Sequence, residues 1–279
     1  MAINKLSSYL KLNSQEWLIF GAAIVLVIVM SFFGVTLPWF IFLGGLAFLV
    51  LTFFVFKKPF LGILFIVFFL PFERIGAYEF GTTTIRLSQI FLIVTGLAWF
   101  LRLVIQGKYP LAKNPLLLPL GIFLVINLLS LPNSLNLGRS VTVLVFIIFT
   151  ATLAFLIPNI VESKERLKKV ILVLLVSFIL VSIFGLWQFL GDMSGLPTEV
   201  TGLRGLYTKN ILGFTRVQST AYEPLYFANY LLIPVAILFA LFLSDNRIIR
   251  IGWIITLFGL GMVNLILTVA RGGYLAIFF

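Results

Sequence analysis

Two arginines in the last third of the chain have a residue type and a setting that suit phosphate binding. Arg216 lies in the segment Gly213–Pro224, just before an apolar run, and Arg271 lies where the next apolar run ends. A guanidinium presents a planar fork of donors that matches phosphate oxygens. Two such groups on one face of a membrane predict a site for a phosphate or diphosphate, and the glycines after Arg271 would let a ligand approach the backbone.

Glu223 is the acid whose position best suits chemistry beside these arginines. It directly precedes Pro224 and follows Arg216 by seven residues. Glu-Pro is also an ordinary helix start, and single interfacial arginines commonly reach lipid phosphates. The functional alternative gives Glu223 a catalytic role, orienting an arginine or accepting a proton from a hydroxyl. Arg204 and Lys209 are auxiliary cations that either reinforce the anion site or form a solvated loop face.

Composition defines the class of protein that must position these groups. Of 279 residues, 61% are hydrophobic and 10% are charged, whereas soluble domains have about 25% charged residues. The chain has no His and no Cys, and no two acids are spaced for a metal-bound nucleotide diphosphate. We therefore predict a polytopic membrane protein with no metal site and no cofactor.

Apolar runs predict an all-α transmembrane bundle, a single integral-membrane domain over residues 1–279. The third run, 59–72, is shorter than a bilayer core requires. We keep it as a span because Lys57-Lys58 and the Lys108/Lys113 cluster lie on the same side only if an even number of crossings separates them. The last residues begin a tenth run. The nine predicted spans cover residues 17–35, 37–56, 59–72, 85–105, 115–131, 138–160, 170–190, 224–243 and 251–269.

Basic residues between the spans predict the orientation. With a cytoplasmic amino terminus, 13 Lys and Arg residues lie inside and seven lie outside, as the positive-inside rule favours. The cations fall in clusters between apolar runs, so we expect contact with membrane lipids and not with nucleic acid. We predict a multi-pass protein of the inner (plasma) membrane, with a long outer-face loop over residues 191–223 that is too apolar for a disordered linker.

The motifs from Arg216 to Tyr274 resemble those of the O-antigen ligase and O-antigen polymerase superfamily. The first is Arg216 followed by Ala221-Tyr-Glu-Pro-Leu-Tyr-Phe-Ala-Asn-Tyr230. The second is Leu267-Thr-Val-Ala-Arg-Gly-Gly-Tyr274, which is similar to a Thr-x-Ser-Arg-Gly signature after a long span. Upstream of these motifs, only hydropathy and topology agree with the family.

The resemblance implies metal-independent, inverting glycosyl transfer on the outer side of the membrane. The donor would be a glycan on a polyprenyl diphosphate, and the acceptor a lipid-linked or growing saccharide. Arg216 and Arg271 match the family's diphosphate-binding arginines, whose charge would stabilise the leaving diphosphate. An uncharged cavity between helices would receive the polyprenyl tail.

Two departures from the family affect this expectation. Ala270 stands where a Ser commonly precedes the arginine, and the family's proposed base is a His in a later outer loop, whereas this chain has none. The sequence therefore reads as a carboxyl-terminally truncated fragment that is inactive alone. Two alternatives remain, a flippase for lipid-linked oligosaccharides and a non-catalytic membrane scaffold. A flippase forms no new glycosidic bond, and a scaffold predicts that Arg216 and Arg271 lie far apart.

Overall fold

The computed structural model describes residues 39–74, 78–80, 83–106, 112–205, 215–245 and 248–278. Its contacts divide the chain into two compact units, Met1–Lys58 and Pro59–Phe279. The first unit contains helix α1 (Trp39–Lys57), in which Lys57 lies over the ring of Phe53. The prediction of one domain over 1–279 stays a prediction, and the first predicted span, 17–35, lies outside the described residues.

The second unit is built mainly of helices. Four of the described helices, α3, α5, α6 and α8, are long and apolar enough to cross a membrane, which makes this a membrane protein. Helices α2, α4 and α9 are apolar but shorter, so the count of nine spans stays a prediction. The helices are α2 (Pro59–Phe69), α3 (Leu87–Gln106), α4 (Leu117–Ser130), α5 (Leu137–Ile160), α6 (Lys164–Met193), α7 (Thr198–Thr201), α8 (Pro224–Leu243), α9 (Ile251–Leu267) and α10 (Arg271–Phe278).

Two local features differ from the predicted pattern. Strands β1 (Tyr78–Phe80) and β2 (Thr83–Ile85) form a short antiparallel hairpin between α2 and α3, where only a connection was expected. Their Tyr, Phe, Thr and Ile residues favour extended backbone. Helix α6 is also longer than the predicted span 170–190, because the Ser163 hydroxyl accepts the Arg166 amide and starts the helix in charged sequence that hydropathy leaves out.

The core of the second unit lies among α6, α8 and α9. Phe178, Leu231, Leu238 and Ile254 are almost completely buried there. Close approach depends on small residues, as at Gly261, where an added methyl would lie 3.1 Å from the Phe178 ring. This packing holds the carboxyl-terminal ends of α6 and α9 beside the start of α8, where the predicted site residues lie.

Candidate anion-binding site

The two segments that carry Arg216 and Arg271 are hydrogen-bonded to each other. The Val217 amide donates to the Leu267 carbonyl at 2.9 Å. The Arg216 Nε donates to the Thr268 carbonyl at 3.3 Å. The Arg216 guanidinium is therefore bonded to a residue that precedes Arg271 by only three positions, so the two arginine segments lie side by side. We call Arg216 and Arg271 the arginine pair.

Arg271 is the first residue of α10, so its side chain lies at the positive end of that helix. The side chain is exposed and has no hydrogen bond or ion pair with any described residue. The glycines that follow have a packing role beyond the one predicted. A methyl added at Gly273 would lie 3.0 Å from the Ala228 Cβ, so this glycine lets α10 lie against α8.

The segment before α8 and the segment between α9 and α10 each contain a residue with positive φ that is not glycine. Ser219 has φ 50° and Val269 has φ 48°. Such backbone costs about 1–3 kcal/mol and is an outlier for a β-branched residue such as valine. At Ser219 the surrounding bonds hold the conformation, since its amide donates to Gln188 Oε1 at 2.7 Å and its hydroxyl donates to the Val181 carbonyl at 2.6 Å.

Position 270, where the family commonly has a serine, has a structural role here. Ala270 is buried and its carbonyl accepts the Tyr274 amide, so it serves the start of α10. The Thr268 carbonyl takes the Arg216 Nε instead. Tyr274 lies close to this guanidinium. Burial raises the pKa of the Tyr274 phenol, and a backbone hydrogen bond and the Arg216 charge oppose the rise.

Glu223 stands at the predicted helix start, with Pro224 as the first residue of α8. Its carboxylate is half-buried and forms no ion pair or hydrogen bond with a described residue. The salt bridge to Arg216 or Arg271 that would orient an arginine is therefore absent among the described residues. The catalytic role of Glu223 stays a prediction, with its oxygens unoccupied by other described side chains.

Of the two expected auxiliary cations, Arg204 and Lys209, the structure describes only Arg204. Lys209 lies outside the described residues. Arg204 lies over the ring of Tyr222, with its guanidinium carbon 5.4 Å from the ring centroid. Arg86 faces the same ring at 6.0 Å. Arg204 thus packs with Tyr222.

Glu73 and Arg74 join this group, which we call the tyrosine cluster: Glu73, Arg74, Arg86, Arg204 and Tyr222. Glu73 accepts the Tyr222 amide at 3.2 Å and lies 3.7 Å from the Arg86 guanidinium. Arg74 donates to the Gly202 carbonyl at 2.8 Å. Burial lowers the pKa of Arg74, and the charge of Arg204 lowers it further.

Gln188 fixes the segment before α8, which lies between the arginine pair and the tyrosine cluster, by hydrogen bonds to Ser219. Its side chain is completely buried. Its Oε1 accepts the Ser219 amide, and its Nε2 donates to the Ser219 carbonyl at 3.1 Å. Sequence reasoning missed Glu73, Arg74 and Arg86, because they lie in the connection between two apolar runs, where charged residues are common.

A cavity of about 660 Å³ lies among α2, α3, α5 and α8. Apolar side chains form most of its wall, and Glu73, Arg86 and Asn229 add polar groups. This cavity is therefore not the uncharged one expected from the sequence. No group of three or more acidic, His or Cys residues suited to a metal ion occurs in the described part of the chain.

The chain matches no protein-family model, no curated protein and no solved structure. The function proposed below therefore depends on the residues of this chain and their geometry.

Proposed function

We propose that this chain is a membrane glycosyltransferase of the O-antigen ligase and polymerase type, and that the arginine pair binds the diphosphate of a polyprenyl-linked glycan donor. The observation that carries the proposal is the joining of the two arginine segments by the Val217–Leu267 and Arg216–Thr268 hydrogen bonds. The scaffold alternative predicts that the two arginines lie far apart, and these hydrogen bonds favour the binding protein over it.

The donors left over on the two guanidiniums support a shared anion. An arginine has five N–H donors. Arg216 donates only its Nε to the Thr268 carbonyl. The two terminal nitrogens of Arg216 have no partner among the described residues. Arg271 adds a whole exposed guanidinium. A diphosphate offers enough oxygens for both forks and carries the charge that favours them.

In the proposed reaction, an acceptor hydroxyl attacks the anomeric carbon as the bond from that carbon to the diphosphate oxygen breaks. Negative charge grows on the leaving polyprenyl diphosphate, and the arginine pair stabilises it. The hydroxyl proton goes to a base. Glu223 is the candidate because its carboxylate is not neutralised by a described cation. The acceptor is a lipid-linked or growing saccharide, and no metal ion takes part.

The proposed location is the outer face of the inner (plasma) membrane, with a cytoplasmic amino terminus. The basic residues support it. Arg74, Arg86, Arg204 and Arg216 all pack around the connection that precedes α8. They lie at the opposite end of α6 from Lys164, Lys168 and Lys169, which occupy its first turns. The lysine end is the cytoplasmic one under the positive-inside rule.

Binding of a short prenyl diphosphate tests the role of the arginine pair. The purified chain in detergent is titrated with farnesyl diphosphate, and we expect Arg216→Gln and Arg271→Gln each to weaken binding by about tenfold or more. Arg139→Gln is the matched control, since Arg139 is also exposed and its removal changes the net charge equally. Equal affinity of Arg271→Gln and Arg139→Gln would refute the assigned role.

Turnover tests the enzymatic part separately. Membranes containing the chain receive a polyprenyl-diphosphate oligosaccharide and an acceptor, and a new glycosidic bond is measured by mass spectrometry. Bond formation that decreases in Glu223→Gln would support catalysis by this chain and would overturn the expectation that it is inactive alone. Movement of the donor across the membrane without bond formation would show that the chain is a flippase and not a glycosyltransferase.

A further inference from the structure

The cavity among α2, α3, α5 and α8 has the features of a lipid-binding site. Its volume of about 660 Å³ lies within the usual range of ligand pockets. Ile66, Leu92, Leu153 and Ile233 belong to its apolar wall. The α8 part of the wall runs from Tyr226 to Ile233, about 10 Å along the helix axis, so the wall is deep enough for part of an extended hydrocarbon chain.

The two charged groups of this cavity, Glu73 and Arg86, lie at helix ends, where a headgroup would be. Glu73 follows α2 and Arg86 precedes α3. Arg86 lines the cavity, and its Nε is shielded from solvent and has no hydrogen-bond partner among the described residues. Asn229 also lines the cavity and has no hydrogen bond with a described residue. An N–H group that is buried without an acceptor is costly unless a ligand oxygen reaches it.

The charge around this end of the cavity selects an anionic headgroup. Arg86 and Arg204 both face Tyr222, and Arg74 lies near enough to Arg204 for their charges to interact. Glu73 is the one carboxylate in this cluster. The excess of positive charge beside an apolar cavity fits a phosphate attached to a hydrocarbon chain.

The cavity and the arginine pair lie on different faces of α8. Tyr226, Tyr230 and Ile233 face the cavity, whereas Leu225 and Ala228 face the glycines of α10. With 3.6 residues per turn, the centres of these two faces are about 120° apart around the helix. A ligand in the cavity is thus separated from Arg271 by the body of α8.

We infer that the cavity holds one chain of an anionic membrane phospholipid, with its phosphate at Arg86, as a site distinct from the arginine pair. This inference goes beyond the proposed function and does not depend on it. The lipid would satisfy the Arg86 Nε and fill the apolar volume. The same lipid would hold α5 and α8 together from within the bilayer.

Photolabelling of the full chain tests this site. The protein is reconstituted in vesicles that contain phosphatidylglycerol with a diazirine on one acyl chain, and the labelled peptides are mapped. We expect label on the cavity segments of α3, α5 and α8. Leu153→Trp should abolish the label by filling the cavity, whereas Leu129→Trp, on the exposed surface of α4, should not change it.

Arg86→Gln provides a second variant that keeps the shape of the cavity. It should reduce phosphatidylglycerol labelling by about tenfold, the effect of one charge-assisted hydrogen bond. Phosphatidylcholine labelling should decrease less, because choline offsets the charge of its phosphate. Labelling spread equally over all lipid-facing helices would overturn the site. If inorganic phosphate competes with the label, the ligand of this site is a soluble anion and not a lipid, which would overturn the inference. Loss of cavity label in Arg271→Gln would make the cavity part of the diphosphate site and contradict the inference.

Discussion

In the tyrosine cluster each arginine has a partner within the protein, whereas the arginine pair keeps most of its donors unoccupied among the described residues. Arg86 lies beside Glu73, Arg74 donates to Gly202 and Arg204 packs on Tyr222. Arg216 uses one nitrogen and Arg271 uses none. The difference separates arginines that also fix the loop from arginines whose donors are left for a ligand. It predicts losses of stability in the tyrosine cluster and losses of diphosphate binding without losses of stability in the arginine pair.

Gln188→Leu should have the largest effect, because this residue supports the loop between both groups. The substitution leaves the Ser219 amide and carbonyl buried without their partner. We expect a loss of about 3 kcal/mol in the free energy of unfolding, measured by thermal unfolding in detergent. Asn127→Leu is the control, because Asn127 is only half-buried and donates to a carbonyl of its own helix. Equal melting temperatures for the two variants would contradict the anchoring role of Gln188.

Glu73→Gln and Glu223→Gln compare the paired acid with the unpaired one. Glu73→Gln removes the charge beside Arg86 and should cost about 1 kcal/mol, since the pair is partly shielded from water. Glu223→Gln should leave the melting temperature unchanged, because no described cation pairs with it. The reverse order of the two melting temperatures would show that the ion pairs are assigned to the wrong acid.

Val269→Gly should have the smallest effect, and it should be stabilising. Glycine adopts φ 48° without the strain that valine bears, and this relief exceeds the entropy cost of glycine. We expect a gain of about 0.5 kcal/mol in the free energy of unfolding. Ala270→Gly, at the next position and without positive φ, should be destabilising. A loss of stability in Val269→Gly would mean that this turn is not strained.

The helices were largely predictable because their signals are local. The eighth predicted span, 224–243, coincides with α8, since Glu223 and Pro224 mark its start. Contacts between distant segments left no such signal. Glu73 and Tyr222 are 149 residues apart in the sequence. Nothing in the sequence marks Val269 for positive φ, because glycine and asparagine are the usual residues there.

Cysteine cross-linking gives the most direct test of whether Arg216 and Arg271 share one anion. The chain has no native Cys, so Arg216→Cys and Arg271→Cys introduce the only two thiols. Lys168→Cys with Arg271→Cys is the control, because Lys168 lies 13 residues, about 20 Å, along α6 from Val181, whose carbonyl contacts Ser219. A short bifunctional methanethiosulfonate should link 216 to 271 rapidly and leave the control pair unlinked. Equal, slow linking of both pairs would contradict a shared site.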